Sequence, residues 1–329
     1  MQKTILITGG AGYIGSQTNL YLLEQGFKTI VFDNLVYGYE EVVPKESILI
    51  KGDLADKNSL SEVFSNYQID GVIHFAAYAY VGESVTDPQK YYHNNLVGTL
   101  NLLAAMKEYK VDKIVFSSTC ATYGIPETLP ITENTPQRPI NPYGKTKLMI
   151  EEVFKDYYQA YNLNSISLRY FNACGGDPLL RTGELHDPET HLIPLVLEAA
   201  KDSSKLIKIF GDDYDTPDGT CVRDYIHTLD LASAHFKALQ KLLDGEQVCE
   251  FVNLGTGQGF SVKEIIQTVE KITQSKVQSQ VSSRRPGDPD KLIADITKAN
   301  SFLGWRPENS ALDYIVSTAW AWKNREIEN

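Results

Sequence analysis

Gly9-Gly10-Ala11-Gly12-Tyr13-Ile14-Gly15 stands directly behind an apolar run at residues 4–8. In that place the glycines at 9, 12 and 15 permit a tight turn, close approach of a pyrophosphate to backbone N–H groups, and tight packing of helix on strand. Glycines also close ordinary turns, so the position carries the reading: this loop joins a first strand to a first helix. Outward from it, apolar runs at 4–8, 28–32, 47–51, 71–76 and 113–118 alternate with segments of helical spacing at 15–25, 59–67 and 89–109. Nearly continuous apolar strands separated by helices specify a parallel sheet covered on both faces. Right-handed crossovers then give an α/β, doubly wound parallel sheet of the Rossmann type.

Asp33 follows the second run, where an acidic residue is placed to hydrogen-bond an adenosine ribose 2′-hydroxyl. A carboxylate there would repel a 2′-phosphate, which favours NAD over NADP. Asp53, behind the third run, suits an adenine contact or an ordinary turn. A second feature is Tyr143-Gly144-Lys145-Thr146-Lys147, preceded by Pro142. Tyr143 and Lys147 stand at i and i+4, so on a helix the phenol and the ammonium share a face. A neighbouring ammonium, with a cationic nicotinamide ring, would favour the phenolate and make Tyr143 a general base. On spacing alone the pair suits an exposed helix start as well. Phe116-Ser117-Ser118-Thr119 ends the fifth run, and ligands of open α/β sheets bind beyond the carboxyl ends of the strands. Thr119 is therefore placed to meet a substrate hydroxyl beside Tyr143, or to cap the next turn. Together the three features point to hydride chemistry at a bound nicotinamide.

With 329 residues the chain has room for about two domains. Its 42% apolar and 22% charged residues and mean hydropathy of −0.26 exclude a disordered chain. Lys and Arg number 31 against 42 Asp and Glu, and the net charge of −11 argues against nucleic acid as a partner. No apolar run reaches the roughly 18 residues that span a bilayer, so no membrane partner is expected. The opening residues lead straight into the glycines without a separate apolar stretch, which points to a cytoplasmic protein. Cys120, Cys174, Cys221 and Cys249 have no zinc or redox spacing and no histidine pair reads HExxH, so free thiols and no metal are expected. A long helix at 142–161 and a strand at 165–170 extend the first unit. Beyond Asn172, loops rich in Gly, Asp and Pro suit a smaller domain, with a late strand at 251–254 and a capping box at Ser261-Val262-Lys263-Glu264. The division is placed at 1–175 and 176–329, with later segments returning to the first part.

The resemblance of the chain rests on ITGGAGYIGS (7–16), DNL (33–35), VIHFAA (72–77), VGES (81–84), YYHNN (91–95), FSST (116–119), NPYGKTK (141–147), LRYFN (168–172), HLIPLV (191–196), DGTCVRDYIH (218–227), NLGTG (253–257) and RRPGD (284–288). Over nearly its whole length it resembles the extended short-chain dehydrogenase/reductase family, and within that family the UDP-glucose 4-epimerases. The resemblance implies tightly bound NAD, a smaller C-terminal α/β substrate domain, and reversible 4-epimerisation of UDP-glucose and UDP-galactose through a 4-keto sugar, as in galactose metabolism. It makes Tyr143, Lys147 and Thr119 catalytic. It places cofactor contacts at Gly9, Gly12, Tyr13, Ile14, Gly15, Asp33, Asn34, Asp53, Leu54, Phe75, Ala76, Ala77, Asn94, Ser117, Tyr143, Lys147 and Tyr170. It places UDP-sugar contacts at Thr119, Tyr143, Asn172, His191, Leu192, Phe210, Arg223, Tyr225, Arg285 and Asp288. Arg223 and Arg285 suit bidentate binding of a diphosphate in an otherwise acidic protein.

Relatives are usually homodimers joined by two helices from each subunit, here at about 88–110 and 142–160. Leu292 holds the family's gating position at the sugar pocket, where a bulky Tyr refuses N-acetylated sugars and a small residue accepts them. Leucine is intermediate and leaves UDP-N-acetylglucosamine open. Stretches 120–123 and 131–145 also resemble plant UDP-arabinose 4-epimerases, which makes UDP-xylose/UDP-arabinose an alternative substrate pair. Related dehydratases carry an acid–base pair just after the hydroxyl residue; Cys120 and Ala121 cannot supply one. A non-catalytic NAD-binding regulator would be marked by loss of Thr119, Tyr143 or Lys147, and all three are present.

Overall fold

The computed structural model describes residues 2–285 and 287–325. Strands β1 (Thr4–Thr8), β2 (Lys28–Asp33), β3 (Ile48–Lys51), β4 (Gly71–His74), β5 (Lys113–Thr119) and β6 (Asn164–Tyr170) pair in parallel in one sheet. Helices α1 (Tyr13–Glu24), α2 (Lys57–Asn66), α3 (Val81–Thr86), α4 (Pro88–Tyr91), α5 (Gly98–Glu108) and α6 (Pro142–Tyr161) run between them. After β6 come short strands β7 (Asn172–Cys174), β8 (Ile207–Phe210), β9 (Val222–Arg223) and β10 (Tyr225–His227), with helices α7 (Leu192–Lys201) and α8 (Thr228–Leu243). The chain then returns, and β11 (Cys249–Leu254) adds a seventh parallel strand beside β6, giving the order β11-β6-β5-β4-β1-β2-β3. The last elements are β12 (Phe260–Ser261), α9 (Val262–Thr273), β13 (Ser279–Ser282), β14 (Lys291–Leu292), α10 (Thr297–Leu303) and α11 (Leu312–Lys323). They pair with β8 and β9 and pack α9 and α11 on α7. No described helix is long and apolar enough to cross a membrane.

Both sheet faces are dry, which is why the strands read as continuous apolar runs. Ile5, Ile7, Ile73, Val115, Ile166 and Leu168 meet Leu22, Leu231 and Leu239 of α1 and α8 on one face. Leu6, Ile30, Phe32, Val72, Ile114 and Phe116 meet Leu60, Leu102, Ile150 and Phe154 of α2, α5 and α6 on the other. Alternate residues of one strand serve opposite faces, and each such side chain contributes about 1.5–3 kcal/mol by burial. A third cluster, built on Val196, Ile207, Ile265, Val269, Ile315 and Val316, lies among α7, β8, α9 and α11.

Two local readings change. The segment 89–109 is not one regular helix: residues Tyr92–Val97 between α4 and α5 form a wide π-helical turn. Its cause is tertiary, because the Asn95 amide brackets Tyr78, accepting from its N–H at 2.8 Å and donating to its carbonyl at 3.0 Å. The fourth strand stops at His74 rather than 76, because the N–H groups of Phe75 and Ala76 both donate to the Thr8 carbonyl, at 2.8 and 3.0 Å. The chain thus peels over the end of β1, beside the glycine loop. The capping box forms as expected, with Ser261 N–H donating to Glu264 Oε2 at 2.7 Å and Glu264 N–H donating to Ser261 Oγ at 3.1 Å.

Candidate active site

The glycine loop leads into α1 at the carboxyl ends of β1 and β2. A Cβ at Gly15 would lie 2.2 Å from the Gly9 carbonyl oxygen, and one at Gly9 would lie 2.5 Å from Ala76 N. A Cβ at Gly12 would meet only the Gly9 oxygen, at 3.4 Å. The outer glycines are therefore demanded by packing, while Gly12 leaves room in front of the helix start. No side chain caps α1, so its first-turn N–H groups are available to an anion. Asp33 is almost fully buried and braces the loop: its carboxylate accepts from Ala11 N–H and Leu35 N–H, both at 2.9 Å. Burial raises its pKa against those two hydrogen bonds. Each oxygen keeps a lone pair, so the brace does not preclude a ribose hydroxyl. Asn34 donates to Asp53 Oδ2 at 2.8 Å.

A cavity of about 580 Å³ opens from this loop. Every expected cofactor residue lines it: Gly9, Gly12, Tyr13, Ile14, Gly15, Asp33, Asn34, Asp53, Leu54, Phe75, Ala76, Ala77, Asn94, Ser117, Tyr143, Lys147 and Tyr170. Thr119 and Leu292 line it too. The π turn contributes Asn94.

Asn141 caps α6, accepting from Gly144 N–H at 2.8 Å with Pro142 in the first turn, so Tyr143 and Lys147 stand where the sequence puts them. Lys147 is 2% exposed; its Nζ donates to the Ser117 carbonyl at 2.6 Å and lies 4.6 Å from the Phe116 ring centre. It is 5.9 Å from the Tyr143 ring centre. Thr119 Oγ1 accepts from Ala121 N–H at 3.1 Å, which leaves its own proton to donate. Ser117 Oγ is hydrogen-bonded to the Tyr170 hydroxyl.

Burial pushes the Tyr143 phenol up to about 12, with the Thr119 hydroxyl acting the other way by favouring the phenolate. Burial also draws Lys147 down to about 7, opposed by Glu151 one turn further along α6. Desolvation is the largest influence on both groups, and in each it favours the neutral form. Behind the pair, Glu151 is fully buried and receives Arg169 Nε and Nη2 at 2.9 and 2.6 Å and Ser118 Oγ at 2.6 Å. This fork fixes α6 to β5 and β6 directly below the site.

A second cavity, of about 470 Å³, is lined by Asn172, His191, Leu192, Phe210, Arg223, Tyr225, Arg285 and Asp288. It adjoins the first, sharing Asn172, His191, Arg285 and Asp288. The two arginines differ. Arg223 Nη2 is paired with Asp288 and its Nη1 donates to the Val222 carbonyl at 2.8 Å, so its fork is already engaged within the chain. Arg285 stacks on Phe210, 4.0 Å from the ring centre, and forms no ion pair among the described residues. Both arginines stand at the expected place, but only Arg285 presents an unshared guanidinium.

Glu184 and His186 also line the larger cavity and escaped the sequence reading. Against the burial that would lower it, hydrogen bonds with Glu184 and Glu189 raise His191 to about 10. Its imidazolium stands at the junction of the two cavities. The signal that could have found these residues is the alternation Glu-x-His-x-x-Glu-x-His over 184–191.

The fold and site together define a Rossmann-type sheet with a Thr-Tyr-Lys set at its carboxyl edge and a second cavity, lined by two arginines, beside it. A family model described as GDP-mannose 4,6 dehydratase matches residues 6–318. A UDP-glucose 4-epimerase of Halalkalibacterium halodurans is 51% identical over 318 residues, covering 97% of this chain and 95% of the relative. The solved UDP-glucose 4-epimerase of Brucella ovis in complex with NAD is 47% identical with a TM-score of 0.94, covering 97% of this chain and 98% of that one. That of Bifidobacterium longum, in complex with NAD⁺ and UDP, is 40% identical with a TM-score of 0.91, covering 98% and 99%. The chain belongs to the UDP-glucose 4-epimerase family.

Proposed function

We propose that this chain interconverts UDP-glucose and UDP-galactose by inverting C4 of the sugar, with NAD held in the larger cavity and the UDP group in the smaller. The observation that carries this reading is the placement of Thr119, Tyr143 and Lys147 in a cavity that starts at the glycine loop and adjoins the second cavity at Asn172, His191 and Arg285. The fit to the cofactor rests on the free N–H groups of α1, the open space at Gly12, and the remaining lone pairs of Asp33. The names of the similar proteins, and the NAD and UDP in the solved ones, support the substrate and cofactor assignment.

NAD⁺, when bound, supplies a hydride acceptor for C4 and a positive charge. Tyr143 accepts the proton of the sugar 4-hydroxyl, and Thr119, whose proton is free to donate, orients the two oxygens. Lys147 holds the nicotinamide ribose and, when charged, lowers the cost of the Tyr143 phenolate. Arg285, with the unengaged donors of Arg223, binds the diphosphate while the 4-keto sugar turns to present its other face. Tyr143 then returns the proton as hydride comes back, so the reaction has no net redox. Cys120 and Ala121 leave no acid–base pair for dehydration, despite the dehydratase description of the family model.

In this reading residues 1–175 form the cofactor domain and 176–329 the UDP-sugar domain, with α8 and β11 serving the first. The protein acts in the cytoplasm as a homodimer. Val97 and Met149, exposed on the two helical segments expected to pair, support the dimer. A single sedimenting species of 36.8 kDa at micromolar concentration would contradict it. The activity is tested by a proton NMR time course of UDP-galactose with purified protein and no added NAD. The anomeric signal of UDP-glucose is expected to grow. An unchanged spectrum, also after adding NAD, would reject the reading.

A further inference from the structure

The loop Glu184-Leu185-His186-Asp187-Pro188-Glu189-Thr190-His191 brings two carboxylates and two imidazoles together at the wall of the cofactor cavity. One donor atom from each of Glu184, His186, Glu189 and His191 lies within 4.8 Å of the others. Both imidazoles aim Nδ1 at one oxygen: His186 is 2.9 Å and His191 2.7 Å from Glu184 Oε1. Glu189 Oε1 approaches the same His191 Nδ1, at 3.0 Å. Glu189 Oε1 also accepts from the backbone N–H groups of Thr190 and His191, at 2.7 and 2.8 Å. The Glu184 and Glu189 side chains are only 8% and 12% exposed. No Lys or Arg forms an ion pair with either among the described residues; the cation beside them is the His191 imidazolium, whose place a metal ion with neutral imidazoles would take.

From this donor set we infer that Glu184, His186, Glu189 and His191 form a binding site for a divalent transition-metal ion of the zinc class. Bonds of about 2.0–2.2 Å from zinc to nitrogen and oxygen give tetrahedral edges of roughly 3.4 Å. Three observed edges, of 2.7–3.0 Å, are shorter than that figure and all the donor atoms lie within 4.8 Å of one another, so the shell closes with side-chain movement alone and without refolding the loop. Two imidazoles with two carboxylates and no thiolate suit zinc better than calcium or magnesium, which favour all-oxygen shells. Four protein ligands close the shell, so the ion is structural and not a Lewis acid for the sugar. Its effect is to fix the loop that sets His186 edge-on to Tyr13 and Tyr80, 5.9 and 6.1 Å away, at the cofactor cavity. This departs from the expectation of no metal, which rested on cysteine and HExxH spacings that this loop does not use.

The test measures Zn²⁺ on the purified full chain, equilibrated with zinc and dialysed against metal-free buffer, by elemental analysis and by competition with a zinc-sensitive dye. The wild type is expected to retain a single zinc. His186→Ala and Glu189→Gln should each weaken it at least tenfold, since even losing a partner outside the coordination shell costs about 10–100-fold. Substituted Co²⁺ should show the visible absorption of a tetrahedral site, absent in the variants. Circular dichroism checks folding, and Glu189→Gln, nearly isosteric, carries the test if His186→Ala does not fold. Zinc absent from the wild type, or retained equally by folded variants as an adventitious ion only, overturns the inference.

Discussion

Tyr143→Phe lowers turnover by at least about 100-fold, the lower range for a general acid–base residue, while NAD stays bound and the fold is kept. Removing one oxygen leaves the ring in place; Thr119 loses its hydrogen bond with the phenol but keeps its backbone partner at Ala121 N–H. The loss should therefore fall on kcat, with little change in KM for UDP-galactose. The chain's charges explain why the cofactor matters to this step. With Lys147 near 7 and Tyr143 near 12, raising the pH of the cofactor-free chain deprotonates the lysine first. Between those values both groups are neutral, and the productive pair of phenolate and ammonium is not populated. The positive charge of bound NAD⁺ favours the phenolate, which in turn favours a charged Lys147. Steady-state kinetics with NAD content measured alongside checks the prediction. Turnover within about fivefold of wild type would remove Tyr143 from the role.

Gly15→Ala sharply lowers the NAD retained through purification. The added Cβ would sit 2.2 Å from the Gly9 carbonyl oxygen and 2.9 Å from Gly10 Cα, and both are backbone atoms that move only if the loop moves. Overpacking of this kind costs about 1–3 kcal/mol, and about 1.4 kcal/mol is a tenfold change in affinity. The cost falls on the loop that presents N–H groups to the pyrophosphate, so bound NAD per chain should drop at least about tenfold. Chromatography of the nucleotide released on denaturation reads it directly. Gly82→Ala is the control, because a Cβ there meets nothing within 4 Å. Equal NAD in Gly15→Ala and wild type would mean that the loop does not hold the cofactor.

The legible and illegible parts of the sequence divide along a physical line. The sheet could be read because burial on both faces leaves a local signal, as in Ile5-Leu6-Ile7, whose members serve opposite cores. Helix α6 could be read to its ends because Pro142 starts it and its capping is local. The π turn could not, since it depends on Asn95 holding a backbone 17 residues away. Strands β9, β12 and β14, two residues each, carry no periodicity of their own. In the site, spacing gave the glycine loop and the Tyr143–Lys147 pair, while the resemblance supplied the residues of the second cavity. The pKa of Tyr143 was not legible, because desolvation belongs to the assembled fold. Nor was the Arg223–Asp288 pair, which joins residues 65 apart.

In the proposed reaction hydride leaves C4 of the sugar and returns to C4 within one site, without net redox. The most direct measurement follows UDP-galactose carrying deuterium at C4 by NMR in ordinary water as it converts to UDP-glucose. The label is expected to stay at C4 of the product, because the atom taken is the atom given back. Loss of the label to water would show proton exchange at C4 and overturn hydride return.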